Sequence, residues 1–405
     1  MNLDLTLAEY ETRRVQLRPG QERRLSGAGE GAITVRVAPE PGWFDVTATH
    51  LVGTLVVDDM RVLIRPKIRP ENLFLMLEVG LKLDAWRREA FDYAADHDLL
   101  PSVIAFFART LETALARGLL RSYREEEERL IALRGRIDIP AQFRSAGIQL
   151  PVACRYDEYS PDIAENRYLK AAAQLALRVP GVLGEDRRRL LRQVVALEDV
   201  ADTSVRVDDL DRIAISRLNA HYEPALRLAR VLLENLTLVD QRGESTASSF
   251  LLDMNQLFED FVTQRLRREL RGRLEVLSQY QTHLGTGRKA PIRPDLVFRR
   301  RGSEVYVADI KYKITATAQA NIKDHYQLLG YTTALDLPEG VLIYCLADGG
   351  VPERSITVRH AGKVLHTLPI NLTGSPAEVA RTITETADWL VSRSRNSLQG
   401  SSNPG

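Results

Sequence analysis

The spacing of apolar residues changes twice along these 405 residues, and each change calls for a different kind of packing. Up to about residue 95 the apolar runs are short and rich in Val, Ile and Thr: "AITVRVA", "WFDVTAT", "LVGTLVVDD" and "MRVLIRPKI", separated by Gly, Pro and Asp. Such runs predict strands, and a small sandwich or barrel. From about 98 to 245 the spacing turns helical. Val103, Phe106, Phe107, Leu111 and Leu115 share one face, and "NRYLKAAAQLALRV", "DRRRLLRQVVALEDV" and "YEPALRLARVLLENL" predict further amphipathic helices. The stretch "YREEEERLIALRGRIDIP" reads as a helix closing in a short extended piece, with Glu125–Glu128 as its solvated face. The polar run "QRGESTASS" at 241 to 249 marks a boundary, after which the periods mix in the order α-β-β-β-α-β, with two weaker strand-like runs beyond.

The expected fold class is therefore α+β and multidomain. A β-rich domain spans 1–95, a helical linker domain 96–248, an α/β domain 249–392 and a disordered tail 393–405. Within the α/β domain, Met254, Leu257, Phe258, Phe261 and Val262 form the buried stripe of its first helix.

Composition narrows the function classes. Lys and Arg number 55 against 54 Asp and Glu, so no global field advertises a polyanionic partner, although a local basic groove fits inside a neutral total. Cys154 and Cys345 sit in apolar runs and read as reduced core residues, and the seven histidines show no metal-ligand spacing. The first residues lack a signal-peptide pattern, and no apolar run approaches membrane-spanning length. A cytoplasmic protein without a membrane partner is expected.

The chemistry concentrates in "RPDLVFRRRGSEVYVADIKYKI", residues 293 to 314. Side chains alternate along a strand, so Val305, Val307, Asp309 and Lys311 share one face. A neighbouring antiparallel strand led by Asp295 brings a second carboxylate within reach, both near one sheet edge. Two converging carboxylates repel, and one pKa rises, unless a cation joins them. Mg2+ resolves that conflict, taking oxygen ligands that include the backbone carbonyl of Ile310, and it supports phosphodiester hydrolysis with Lys311 at the nucleophilic water. The plain alternative is an Asp-x-Lys surface ion pair.

Pro294-Asp295 and Asp309-Ile310-Lys311 resemble the PD-(D/E)xK nuclease motif, and the element order is similar to the restriction-endonuclease-like core of that superfamily. The resemblance implies a further metal-site carboxylate, Glu259 in "LFEDFV", which is otherwise a solvated helix glutamate. It also implies a Q-x-x-x-Y pair, Gln327 and Tyr331, on one face of the second helix. More broadly, "VGTLVVDDMRVLIRPKIRPENLFLML", "LRGRIDIP", "CRYDEYSPDIAENRYLKAA", "MNQLFEDFV" and "DIKYK", in that order, resemble the McrC family, the nuclease subunits of McrBC-type, 5-methylcytosine-dependent restriction systems.

That resemblance implies a Mg2+-dependent DNA endonuclease for defence against foreign, modified DNA. It also implies an McrB-like AAA+ GTPase hexamer as partner and pairing of complexes for double-strand cleavage. The chain has no P-loop: "GTGRKA" at 285 to 290 has the wrong spacing and reads as a turn before the Pro-Asp strand. Residues 1–95 would dock on the ring and stimulate its hydrolysis. There Arg61, Arg65, Lys67 and Arg69 either touch the ring or a phosphate, or form a basic edge strand that discourages aggregation. In the helical region Arg134, Arg136, Arg155, Arg167 and Lys170 either contact a DNA backbone or are ordinary solvated charges, and Asn166-Arg167 is assigned a structural role. Two rival readings remain: a stand-alone RecB-like repair or recombination nuclease, and a non-enzymatic activator of a ring NTPase.

Overall fold

The computed structural model describes residues 3–77, 98–144, 150–182, 184–203, 205–240, 246–315, 322–346 and 354–400. Residues 1–102 and 249–405 form one compact unit and 103–248 a second, so three expected consecutive domains meet a two-unit arrangement. The expected boundary at 95, the loop over 241–245 and the last tail residues lie outside the described residues.

The first unit begins with β1 (Leu3–Ala8), β2 (Thr12–Gln16), α1 (Gln21–Ala28), β3 (Ile33–Val37), β4 (Trp43–Ala48), β5 (Leu51–Val57), β6 (Met60–Arg65) and α2 (Pro70–Leu77). All four strands named from the sequence are present, and they fall into two sheets. One is β2-β4-β3; the other runs β1-β6-β5 and continues to β11 (Thr246–Asp253). Phe250–Asp253 pair antiparallel with Leu51–Thr54, so part of the polar run expected as a loop is a strand. Gly53 (φ +128°) permits this crossing, because a Cβ there would lie 2.1 Å from the Phe250 carbonyl oxygen. Strand β6 pairs with β1 on one side and β5 on the other, so its basic residues do not line a sheet edge.

Helix α3 (Leu99–Leu115) leads into the second unit, and its Val103, Phe106, Phe107 and Leu111 are buried as expected. It holds β7 (Ser122–Leu130), β8 (Arg136–Ile137), α4 (Ile139–Phe143), β9 (Val152–Ser160), α5 (Ala164–Leu177), α6 (Gly184–Ala196), α7 (Glu223–Asn235) and β10 (Leu236–Asp240). The three long amphipathic helices are α5, α6 and α7. The acidic run is not helical: Glu125–Glu128 lie on β7, antiparallel to β9. Alternation turns Glu125 and Glu127 towards Arg155 of β9, which stands 3.3 and 2.6 Å from them and 3.1 Å from Asp138. A partner strand distant in sequence overrides the helix preference of four glutamates. Arg167 is likewise paired with Asp162 (2.6 Å) and the buried Lys170 with Asp202 (3.0 Å), so these charges are matched inside the unit. Arg134 lies over the Tyr156 ring. Asn166, fully buried, donates to the carbonyls of Leu120 and Pro161, the structural role expected of it.

The chain then returns to the first unit through α8 (Met254–Glu269), β12 (Glu275–Ser278), the hairpin β13 (Thr282–Gly285) and β14 (Lys289–Ile292), β15 (Leu296–Arg300), β16 (Ser303–Thr315), α9 (Ile322–Ala334), β17 (Glu339–Leu346), β18 (Arg354–Thr357), β19 (Val364–Asn371) and α10 (Pro376–Gly400). Their six-stranded sheet has the order β12-β15-β16-β17-β19-β18. Pairing is antiparallel for β12-β15-β16 and β19-β18, and parallel for β16-β17-β19. The expected α-β-β-β-α-β order is there, with the "GTGRKA" turn closing the β13–β14 hairpin. Residues 393–400, expected in a disordered tail, continue α10. Among the described residues no helix is long and apolar enough to cross a membrane.

Strand β16 is central and buried on both faces, as a parallel-paired strand is. Val307 packs with Leu328 and Tyr331 of α9 and with Leu342 and Tyr344 of β17. On the opposite face Tyr306 stacks edge-on against Trp389 of α10, and Tyr312 lies 5.8 Å from Phe258 of α8. Helix α9 seats closely because residue 340 of β17 is Gly; a Cβ there would lie 2.7 Å from Thr332 and 2.9 Å from Leu328.

The two parts of this unit meet at Glu9, just past β1, which is fully buried. Its Oε2 accepts from the Lys67 N–H (2.7 Å) and from the Tyr312 hydroxyl (3.1 Å), while Oε1 receives no hydrogen bond. Burial raises its pKa from 4.5 to about 7, against the opposing effect of those two hydrogen bonds and the Lys67 charge. With the folded pKa above the unfolded one, stability falls as pH rises from about 4.5 to about 7 and stays reduced above it. Glu9→Gln keeps an acceptor for both donors and removes the charge. It should raise the thermal midpoint by a few degrees at pH 8 and hardly alter it at pH 4. A midpoint change of equal size at both pH values would contradict this assignment.

Candidate active site

The site lies where the β15–β16 ladder opens. Pro294 has no N–H to give a ladder and precedes the first residue of β15, so Asp295 stands at the strand's entry. Pairing runs from Arg300–Ser303 back to Leu296–Ala308, with one register shift between Arg299 and Phe298. Beyond it the Ile310 N–H donates to Asp295 Oδ2 at 2.8 Å instead of to a backbone carbonyl of β15. On the other side β16 and β17 stay in register through Lys311 and then slip before Thr315. The Pro-Asp and the Asp-x-Lys are thereby brought together on interior strands at the open end of the sheet, not at a sheet edge.

Asp309 has no solvent exposure. Lys311 Nζ lies 2.8 Å from Asp309 Oδ2 and 4.0 Å from Asp295 Oδ2. Beyond that ammonium, neither Asp309 oxygen receives a hydrogen bond of ordinary geometry. The simple surface ion pair is thus excluded by burial. What the structure shows of the Ile310 peptide is its N–H, engaged with Asp295.

Two helices complete the surroundings. Glu259 of α8 is half-buried and its Oε1 accepts from Gln279 Nε2, so it is not a solvated helix glutamate. Gln279, just beyond β12, has a left-handed backbone (φ 52°), and its N–H donates to the Asp295 carbonyl at 2.9 Å. Sequence reasoning missed this residue. Its signal, a polar pair breaking "LEVLSQY" at the strand end, is too common to single out. From α9, Gln327 Nε2 donates to the Tyr331 hydroxyl (2.6 Å), which donates to the Arg293 carbonyl next to Pro294 (3.3 Å). The Gln-x-x-x-Tyr pair therefore braces the entry to β15. Tyr344 of β17, also missed, donates to buried Asp324 at 2.6 Å beneath the start of α9.

The electrostatics follow from burial. Asp309 is pushed well above the ordinary carboxylate range, first by desolvation and then by the Asp295 charge, with Lys311 opposing both. Glu259 is raised to about 7 by burial and then by Asp295. Burial alone would lower Lys311, but the charges of Asp309 and Asp295 outweigh it and its pKa is raised. Tyr331 is raised by burial and feels the same two aspartates.

A cation fits this donor set. Asp309 offers two buried oxygens lacking ordinary hydrogen bonds, beside a second carboxylate whose repulsion a divalent ion would relieve. Among the described residues no three His, Cys, Asp or Glu side chains gather into a ready-made metal cluster. A cation here would therefore be held by two carboxylates, with other positions left to backbone, water or substrate, as Mg2+ tolerates and Zn2+ does not.

A family model described as McrBC 5-methylcytosine restriction system component matches residues 46–345. Among solved structures, a chain of the refined half-complex from the tetradecameric assembly of Thermococcus gammatolerans McrB AAA+ hexamers with bound McrC is similar. The match covers 96% of this chain and 100% of that one, with TM-score 0.54 and 20% identity, and establishes likeness of fold. The cryo-EM structure of the Thermococcus gammatolerans McrBC complex is matched over 66% of this chain and 88% of that chain, with TM-score 0.43 and 23% identity. No curated protein matches.

The electrostatic ordering can be measured on the full chain in metal-free buffer, by carbon NMR of selectively labelled aspartate carboxyls. Asp295→Asn should lower the Asp309 pKa and Lys311→Met should raise it. Unchanged titration in both variants would mean the three groups are not coupled as the geometry requires.

Proposed function

Because the chain belongs to the family of McrBC 5-methylcytosine restriction system components, we propose that it is the cutting subunit of such a system, a Mg2+-dependent endonuclease acting on DNA. The observation that carries this reading is the buried Asp309 beside Asp295, with Lys311 reaching both, at the open end of a sheet flanked by α8 and α9. This arrangement supports a PD-(D/E)xK core.

Asp295 and Asp309 would hold the cation, with the Ile310 carbonyl as a further donor. When bound, Mg2+ supplies Lewis-acid charge to the phosphoryl oxygens. Lys311 has a raised pKa, so it stays protonated near neutrality and acts as a fixed positive charge, not as the base. Its ammonium orients the attacking water and offsets charge on the pentacovalent phosphate. Water adds to phosphorus as the bond to the leaving deoxyribose oxygen breaks; that oxygen takes a proton from solvent, and the proton of the attacking water must be taken up nearby. Glu259, raised to about 7, is suited to hold that proton around neutral pH. Gln279, Gln327 and Tyr331 act as positioning residues: Gln279 holds Glu259, and the other two brace the chain entering β15.

A ring GTPase of the McrB AAA+ type is the partner we propose, supported by the fold shared with the Thermococcus gammatolerans assembly of McrB hexamers with bound McrC. The β-rich residues preceding α2 are the proposed docking part, stimulating the partner's GTP hydrolysis.

The test is cleavage of cytosine-methylated and unmethylated plasmid by the full chain, with and without its partner and GTP. Cutting is expected only of methylated DNA with Mg2+, GTP and partner. Asp309→Ala should abolish it, and Lys311→Ala should slow it by about a hundredfold or more. Methylation-independent cutting by the chain alone would replace this reading with a stand-alone nuclease. No cutting while GTP hydrolysis is still stimulated would leave an activator.

A further inference from the structure

The first unit carries an arginine-lined cavity at the opposite end of β15 from Asp295. A cavity of about 600 Å³ opens there between the α8–β12 connection, the tip of the β15–β16 hairpin and α10. Four arginines line it: Arg273, Arg299, Arg300 and Arg301. Two are already engaged, Arg273 with Asp388 (2.5 Å) and Arg299 with Glu304 (2.6 Å). Arg300 and Arg301 form no ion pair among the described residues, and Glu275 is the acid on the cavity wall.

The local backbone is irregular in two ways that bear on these side chains. The β15–β16 register shifts between Phe298 and Arg299, a bulge whose extra residue, Val305, lies on β16 opposite the arginine-bearing end of β15. The two-residue turn Arg301–Gly302 has positive φ at both positions, 53° and 87°. Asn, Asp or Gly normally takes the first of these, and an arginine there is strained. A side chain kept against the turn's own preference points to a task for the guanidinium.

We infer that this cavity is a binding site for the phosphodiester backbone of DNA, separate from the cutting centre. The inference rests on DNA being the substrate. Arginine forks match phosphate oxygens in pairs, and the apolar floor of Leu274 and Val391 limits competing hydration. Asp295 and Arg301 are six residue steps apart along extended chain, about 20 Å at the usual strand rise. One phosphate cannot reach both sites; a duplex crossing the cutting centre would meet the arginines roughly six base pairs away. The site would hold the backbone without reading sequence and fix the register of the cut.

The experiment measures binding of a fluorescent duplex of about thirty base pairs to the full chain, without divalent cations and over a salt series. The variant Arg300→Gln/Arg301→Gly suits it because Gly fits the turn better than Arg, so misfolding is not the expected effect. The slope of log affinity against log salt should fall by about 2, with affinity at low salt down roughly tenfold. Glu275→Gln should tighten binding. Wild-type binding matched by the double variant in slope and affinity would overturn the site while leaving the substrate reading intact. Absence of DNA binding by the wild-type chain would overturn the site, and the substrate reading would then be decided by the cleavage test with the partner present. Unchanged DNA binding with weakened association of a partner ring would overturn the inference by assigning the arginines to an acidic protein surface.

Discussion

Asp309 is sealed from solvent beside a second carboxylate, with one ammonium 2.8 Å away. A charge in that position costs several kcal/mol unless something compensates it, and one lysine shared between two aspartates compensates incompletely. The surrounding structure bears on this imbalance. Asp295 is fixed by the Ile310 N–H, Gln279 ties Glu259 to the loop carrying the Asp295 carbonyl partner, and Gln327 with Tyr331 secures the residues before Pro294. A divalent ion would relieve this imbalance, as the hydrolytic role proposed for the site requires.

The same strand serves two purposes on its two faces. Asp309 and Lys311 lie with the α9 side, while Tyr306 and Tyr312 face α8 and α10. Tyr312 follows Lys311 directly and donates to Glu9 at the end of β1. Asn72 of α2 likewise donates to the carbonyls of Leu372 and Gly374, beyond β19. The N-terminal strands and the six-stranded sheet are therefore one packed body, and β11 completes the junction by pairing with β5. One hydrogen bond thus links the end of β1 to the residue next to Lys311.

Much of the site was legible because its residues break local rules. An acid and a lysine on a run of Val, Tyr and Ala, and a Pro-Asp leading the preceding strand, are costly enough to stand out. Gln327 and Tyr331 came only from the resemblance to the nuclease superfamily, whereas the buried stripe of α8, read from its period, held at every residue named. Long-range pairing was not legible. Glu125–Glu128 have helix-forming composition, and only β9 with Arg155 makes them a strand. The polar residues that open β11 look like a linker, and the strand is recognised only from the pairing of Phe250–Asp253 with β5. Gln279 escaped because its role depends on a left-handed turn that no side-chain pattern announces. The placement of β19 between β17 and β18 depends on crossovers that local spacing does not encode.

The central claim is that Asp295 and Asp309 together hold one divalent cation. Calorimetric titration of the full chain with Mn2+, in the absence of DNA, tests it most directly, comparing wild type with Asp295→Asn and Asp309→Asn. The account predicts a single saturable site in the wild type that is lost or greatly weakened in each variant. Saturable binding that persists unchanged in both variants, or no binding by the wild type, would contradict it.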